Sequence, residues 1–128
     1  LRDLRDATLP RGQLANRVER VSDKPLSDGL SIDTEGNVYI TAIEHNAVFV
    51  GRPGRSPETL IRSPAIRWPD ALSFGPDGYL YLADSALAEL VLQSREHIDE
   101  QGPYRIFRFR PGRCLHLIGW PGGTGTIG

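Results

Sequence analysis

"SDGLSIDTEGNVYI" (Ser27–Ile40) and "PDALSFGPDGYLYL" (Pro69–Leu82) are two versions of one pattern, set 42 residues apart. Aligned without a gap, Ser27–Val50 and Pro69–Leu92 agree at Asp28 and Asp70, Leu30 and Leu72, Ser31 and Ser73, Gly36 and Gly78, and Tyr39 and Tyr81. Between these identities the apolar class is kept: Ile32 faces Phe74, Val38 faces Leu80, Ile40 faces Leu82, and Val48 faces Leu90. Leu30 and Ile32 alternate with Ser31, and Val38 and Ile40 alternate with Tyr39, which is the period of two that lets a strand bury one face. Between the paired strands, "DTEGN" (Asp33–Asn37) and "GPDGY" (Gly75–Tyr79) hold a glycine at the same place, as a tight hairpin requires where φ turns positive.

A period near 42 residues with several short strands in each copy is the mark of a β-propeller blade, a four-stranded sheet set radially about an axis. The fold class expected is therefore all-β, a propeller of which this chain carries about two full blades and parts of others. The first blade is expected as strands near 28–33, 37–42, 47–51 and 58–63. The second repeats this near 70–75 and 79–84, with an outer strand at 104–110. "RVERV" (Arg17–Val21) reads as the outer strand of a preceding blade, and Cys114–Ile118 as a short strand that begins another. In domain terms the expectation is an N-terminal remnant at 1–15, a partial propeller at 16–118 with blade repeats 27–68 and 69–112, and a Gly-rich tail at 119–128. The tail composition, "GWPGGTGTIG" from Gly119, is that of a linker.

One segment gives two answers. In "SALAELVLQSREHIDEQG" (Ser85–Gly102), Leu87, Leu90, Val91 and Ile98 recur at helical spacing, with Asp84 or Ser85 placed to cap, whereas the repeat puts Leu90–Leu92 on a strand. The expectation here is a long inserted loop with some helix.

Composition bounds the rest. The chain has 128 residues, 39% hydrophobic and 24% charged, and belongs to the ordinary globular class. A formal net charge of −1 with scattered basic residues argues against nucleic acid or an anionic membrane as partner. Cys114 is the single cysteine, so neither an intrachain disulfide nor a multi-cysteine zinc site is available. No apolar run reaches the length of a membrane span, so membrane insertion is not expected either. The chain opens at Leu1 and holds no methionine, from which an N-terminus lying further upstream is expected.

Taken in order, "SDGLSIDTEGNVYITAIEHNAVFV", "IRWPDALSFGPDGYLYLADSAL" and "GPYRIFRFRPG" resemble the C-terminal part of bacterial relatives of the insect yellow and major royal jelly proteins. The resemblance covers about residues 18–112. It implies a six-bladed propeller, an extracellular or periplasmic location, and a small-molecule site at one end of the central channel, with earlier blades of the same protein as partners. A more distant similarity is to the regucalcin and gluconolactonase family, whose blades carry "PDG" followed by Asp-x-x-Gly. There the Asp of "PDG" is a ligand to a catalytic divalent metal. Asp28, in "SDG", holds the matching place, with Ser27 replacing the Pro. That similarity implies a Ca2+ or other divalent cofactor and lactone hydrolysis, in which the cation polarises the carbonyl and activates water. Its remaining ligands would lie upstream of this chain. Enzymatic activity is thus left open, and a third reading is a protein-interaction platform without chemistry.

The candidate residues follow from their places in the blades. Asp28 and Asp70 open equivalent inner strands, where paired carboxylates could hold a hard cation or work as acid and base; each also reads as a turn cap bonding nearby N–H groups. Trp68, in "WPD", either walls a pocket at the channel mouth or packs between blades. Asp84 ends the second inner hairpin, and His45 and Asn46 lie on a turn at one end of the first blade. Ligand contacts are expected from Asp70, Trp68, Asp84, His45 and Asn46, and a metal contact from Asp28. Asp33, Glu35 and Asn37 alternate as in a calcium loop but lack its later ligands, and read as a plain turn. His97 and His116 have no close His or Cys partner, and no nucleophile elbow is present. In "YRIFRFR", Phe107 and Phe109 read as packing and Arg108 and Arg110 as a solvated edge.

Overall fold

A computed structural model describes residues 6–111. Strands β1 (Leu30–Ile32), β2 (Val38–Ala42), β3 (Ala47–Gly51) and β4 (Glu58–Arg62) form one antiparallel sheet in that order. Strands β5 (Pro69–Phe74), β6 (Leu80–Asp84) and β7 (Arg105–Phe109) form a second. The protein is thus built on sheet, as its alternation requires. Each expected blade strand from residue 28 onward within the described residues has its counterpart, with ends that agree to within two residues.

The repeat is present in the hydrogen bonds as well as the letters. Asp33 N–H donates to the Asn37 carbonyl and Gly36 N–H to the Asp33 carbonyl; 42 residues on, Gly75 N–H donates to Tyr79 and Gly78 N–H to Gly75. Gly36 and Gly78 both sit at positive φ (84° and 75°), where a side chain would be strained. At the other end of the strands Ile43 N–H donates to the Leu26 carbonyl, and Ser85 N–H to Trp68, again 42 residues apart.

Each hairpin locks a tyrosine, by different means. The Tyr39 hydroxyl donates to Asp33 Oδ2 (2.9 Å), while Asp33 Oδ1 accepts from the N–H groups of Glu35 and Asn37. In the second hairpin the acid has moved two places along the turn: the Tyr81 hydroxyl donates to Asp77 Oδ2 (2.8 Å), and Tyr79 N–H to Asp77 Oδ1. The residue aligned with Asp33 is Gly75, and a Cβ there would lie 2.6 Å from the Tyr81 ring, so the glycine makes room for the shifted arrangement.

The sheets meet face to face. Strands β1 and β2 lie against β5, and the core between the sheets contains Tyr39, Val48, Val50, Ile61, Ile66, Leu72, Leu80, Leu82 and Phe109. Tyr39 meets Phe74 edge-on across this seam, with ring centroids 5.3 Å apart. Phe107 packs against the same cluster, as the alternation of "YRIFRFR" indicates. Arg108 and Arg110 lie on the other face, both over the Tyr79 ring.

One expectation needs correction. Residues 17–21 form no strand; Val18 and Val21 are exposed, and valines three places apart cannot share one face of a strand. The stretch before them contains a short helix, α1 (Arg11–Ala15), which buries no residue. The 85–102 segment is a loop with helix, as expected: a 3₁₀ turn at Leu87–Glu89 and α2 (Arg95–Glu100), whose N-cap Ser94 accepts from His97 N–H. The strand expected at 114–118, and the tail, lie outside the described residues. No helix among the described residues is long and apolar enough to cross a membrane.

The Tyr39 lock sets a pH dependence. Burial, then the hydrogen bond to Asp33, push the Tyr39 hydroxyl up to about 12. Burial would raise Asp33, but hydrogen bonds from Asn37, Tyr39 and Glu35 outweigh it and hold the carboxyl below its ordinary value. A raised tyrosine stabilises the fold fully below its unfolded value near pH 10, and this contribution is lost as pH rises toward 12. Urea midpoints measured across that window should fall steeply for the wild type and less for Tyr39→Phe. An identical alkaline slope in both proteins would show that the lock does not set it.

Candidate functional site at the end of the seam

The starts of β1, β3, β5 and β7 and the ends of β2, β4 and β6 lie at one end of the sheets, so the topology gathers their flanking residues there. This end carries every residue singled out as a candidate.

Asp28 and Trp68 are brought together. The indole Nε1–H donates to Asp28 Oδ2 at 2.6 Å, a charge-assisted bond from one sheet to the other. Asp28 is exposed and Trp68 half-buried. Each is held from behind. Thr41, fully buried, accepts at its hydroxyl from Asp28 N–H (3.1 Å) and Gly29 N–H (2.9 Å), while its own N–H donates to the Gly29 carbonyl. These bonds fix the bend that delivers Asp28. Trp68 N–H donates to Asp84 Oδ1 (2.7 Å), and the Trp68 carbonyl accepts from Ser85 N–H (3.1 Å).

Asp70 lies beside this pair. The β5–β6 register shifts between Pro69 and Ala71, so Pro69 faces Asp84, Ala71 faces Ala83, and Asp70 is the extra residue of a bulge. Bulges re-aim a side chain and recur beside binding sites. The Asp70 carbonyl touches Gly29: a Cβ on Gly29 would run into that oxygen and lie 3.0 Å from the Ala71 Cα. Only a glycine lets the two backbones approach so closely.

The other candidates have different surroundings. Asp84 has a fully buried side chain; Oδ1 accepts from the N–H groups of Arg67 (2.8 Å) and Trp68, and Oδ2 from Arg67 Nε (3.3 Å). Its carboxylate is used up in holding the 67–68 corner, and it faces no open space. His45 stacks on Phe49 (5.6 Å between centroids, 7° between planes), and Phe49 points opposite to the seam-facing Val48 and Val50. Asn46 takes the left-handed conformation at φ 51° that closes the β2–β3 turn, and its carbonyl accepts from Ser63 N–H. Both share the end of the sheet with Asp28 without joining the Asp28–Trp68 pair.

Thr41 and Arg67 were not singled out from the sequence. The signal for Thr41 was available, because the repeat carries Ala83 at its equivalent place and a lone hydroxyl at the end of an apolar strand needs a partner. Among the described residues no three His, Cys, Asp or Glu side chains form a group able to hold a metal ion. Asp28 offers one carboxylate, and a calcium or magnesium ion needs six or more oxygen donors. A divalent cation here would therefore draw its other ligands from outside the described residues.

No protein-family model matches the chain, and no curated protein matches it.

The backbone approach at Gly29 supports the whole arrangement. Replacing Gly29 with Ala should destabilise the chain by about 2 kcal/mol, as overpacking does, because backbone rather than a flexible side chain must give way. It should also shift Trp68 fluorescence in a Trp120→Phe background. Unchanged stability and emission would show that the sheets do not meet at this point.

Proposed function

We propose that the two sheets are consecutive blades of a six-bladed propeller of the yellow and major royal jelly kind, and that the chain contributes to a small-molecule binding site at the end of the ring. The observation that carries the binding reading is the inter-sheet Asp28–Trp68 pair with the bulged Asp70 beside it. Trp68 supplies an aromatic wall. Asp28 Oδ1 and the Asp70 carboxylate accept no hydrogen bond from any described residue, which leaves acceptors for a ligand that brings donors. A few fixed polar groups beside an aromatic surface are what such sites use for orientation.

The blade reading is supported by the 42-residue repeat of hydrogen bonds and by the face-to-face packing. It is supported also by Leu30 and Ile32 (55% and 63% exposed) on the face of the first sheet turned from the second, where a preceding blade would pack. The site would lie on the exterior side of the cell, following the family's habit. Lactone hydrolysis would need metal ligands beyond Asp28 from outside the described residues.

The test is a thermal-shift screen of polar small molecules, with calcium and magnesium chloride run alongside, on the wild type, Asp28→Ala and Trp68→Phe. Compounds that stabilise the wild type should bind at least about tenfold more weakly to Asp28→Ala, the scale of one lost hydrogen bond to a charged group. Trp68→Phe keeps the ring and loses the Nε1–H, so it should weaken binding less. Ligands that bind all three proteins equally would place the site elsewhere. Stabilisation by the divalent cations alone, abolished in Asp28→Ala, would favour the metal-dependent reading.

A further inference from the structure

The connection between β6 and β7, residues 85–104, occupies the place that residues 43–46 fill between β2 and β3. The insertion therefore falls at the end of the sheets that carries Asp28, Trp68 and Asp70. Both of its feet stand on one dipeptide. At the first, Ser85 N–H and hydroxyl both reach the Trp68 carbonyl (3.1 and 3.5 Å). At the second, the Arg67 guanidinium donates through Nη1 to the Gln101 carbonyl (2.8 Å) and through Nη2 to the Pro103 carbonyl (3.4 Å), with its central carbon 5.4 Å from the Tyr104 ring centroid.

Arg67 is also tied inward. Its Nε and backbone N–H bond the two oxygens of Asp84, and the same Asp84 Oδ1 takes Trp68 N–H. The insertion is braced within itself by His97 Nε2 on Glu89 (3.1 Å) and by the Tyr104 hydroxyl on the Ile98 carbonyl (2.9 Å). Its outer turn leaves Val91 half exposed and Leu92 fully exposed, the latter at φ 62°, a conformation that costs energy for a branched side chain.

We infer that Arg67 is a positioning residue for the Asp28–Trp68 site, and that the 85–104 insertion acts on that site through it. A guanidinium can hold two carbonyls and a carboxylate at once because its donors are fixed in one plane; an ammonium cannot reproduce that fork. Docking of the insertion and orientation of the Trp68 indole are then two readings of one arrangement, and by linkage each stabilises the other. The residues of the insertion thereby become specificity elements for whatever the site binds. The inference rests on the Asp28–Trp68 site proposed above only for its purpose; the coupling itself is a property of the unliganded chain.

The experiment uses no ligand, so its failure is distinct from failure of the binding proposal. In a Trp120→Phe background the chain has one indole, and its N–H resonance reports the bond to Asp28. Tryptic cleavage after Arg95, followed by mass spectrometry, reports undocking of the insertion. Arg67→Lys should accelerate that cleavage about tenfold, within the range usual for coupled sites, and should speed indole N–H exchange by a similar factor. Asp28→Ala alters an exposed residue whose side chain has no hydrogen bond to the insertion, and is not expected to unfold the chain; coupling requires that it too accelerate cleavage after Arg95. If Asp28→Ala changes the indole signal and leaves cleavage at the wild-type rate, the two ends are independent and the inference is wrong. It is equally wrong if Arg67→Lys frees the insertion while indole exchange stays unchanged.

Discussion

The contact on which the rest depends is the approach of the Gly29 backbone to the Asp70 carbonyl. It sets how closely β1 can lie against β5, and that distance fixes whether the first sheet's Asp28 reaches the second sheet's Trp68. The apolar seam of Val48, Ile61, Leu72 and Leu82 supplies the cohesion but is non-directional. The glycine contact and the Trp68–Asp28 bond turn that cohesion into a register. Thr41 completes the device from beneath, its hydroxyl satisfied by the two N–H groups that precede β1.

The two copies show how a repeat diverges while keeping its backbone. The bonds from Ile43 to Leu26 and from Ser85 to Trp68 are the same bond in two places, yet the side chains that support each corner differ. In the first copy the strand end is Thr41–Ala42, and the hydroxyl does the anchoring; in the second it is Ala83–Asp84, and a buried carboxylate takes over. The carboxylate can in turn recruit Arg67, and Arg67 can hold an insertion that the first copy lacks. The elaboration of the second copy thereby rests on an acidic strand end, Asp84, where the first copy has Ala42.

Much of the fold was legible because strand alternation and hairpin glycines are local signals. Leu30, Ile32, Val38 and Ile40 announce their strands without reference to anything distant, and the 42-residue repeat supplies a second, independent statement of each. The misread stretch, residues 17–21, had β-branched residues without the period of two, and no neighbouring strand among the described residues pairs with it. Helix α1 gave no apolar stripe to find, since it buries nothing. The candidate residues were legible as a set of positions at one end of the sheets, where Trp68 bonds Asp28 and the Asp70 backbone lies against Gly29. Their mutual arrangement was not, because the Asp28–Trp68 bond spans 40 residues and depends on the crossing of two sheets. The holding role of Asp84 was not legible, because two of its three partners, the Arg67 and Trp68 N–H groups, are backbone atoms with no signature in the sequence.

The most direct measurement is a nuclear Overhauser spectrum of the isotopically labelled chain, searched for a cross-peak between the Hα protons of Gly29 and Ala71. The Ala71 Cα lies 3.0 Å from the point where a Gly29 Cβ would stand, so a strong peak is expected. Absence of that peak, with the cross-strand peaks inside each sheet intact, would mean that the two sheets form but do not meet at Gly29, and the site built on their meeting would go with it.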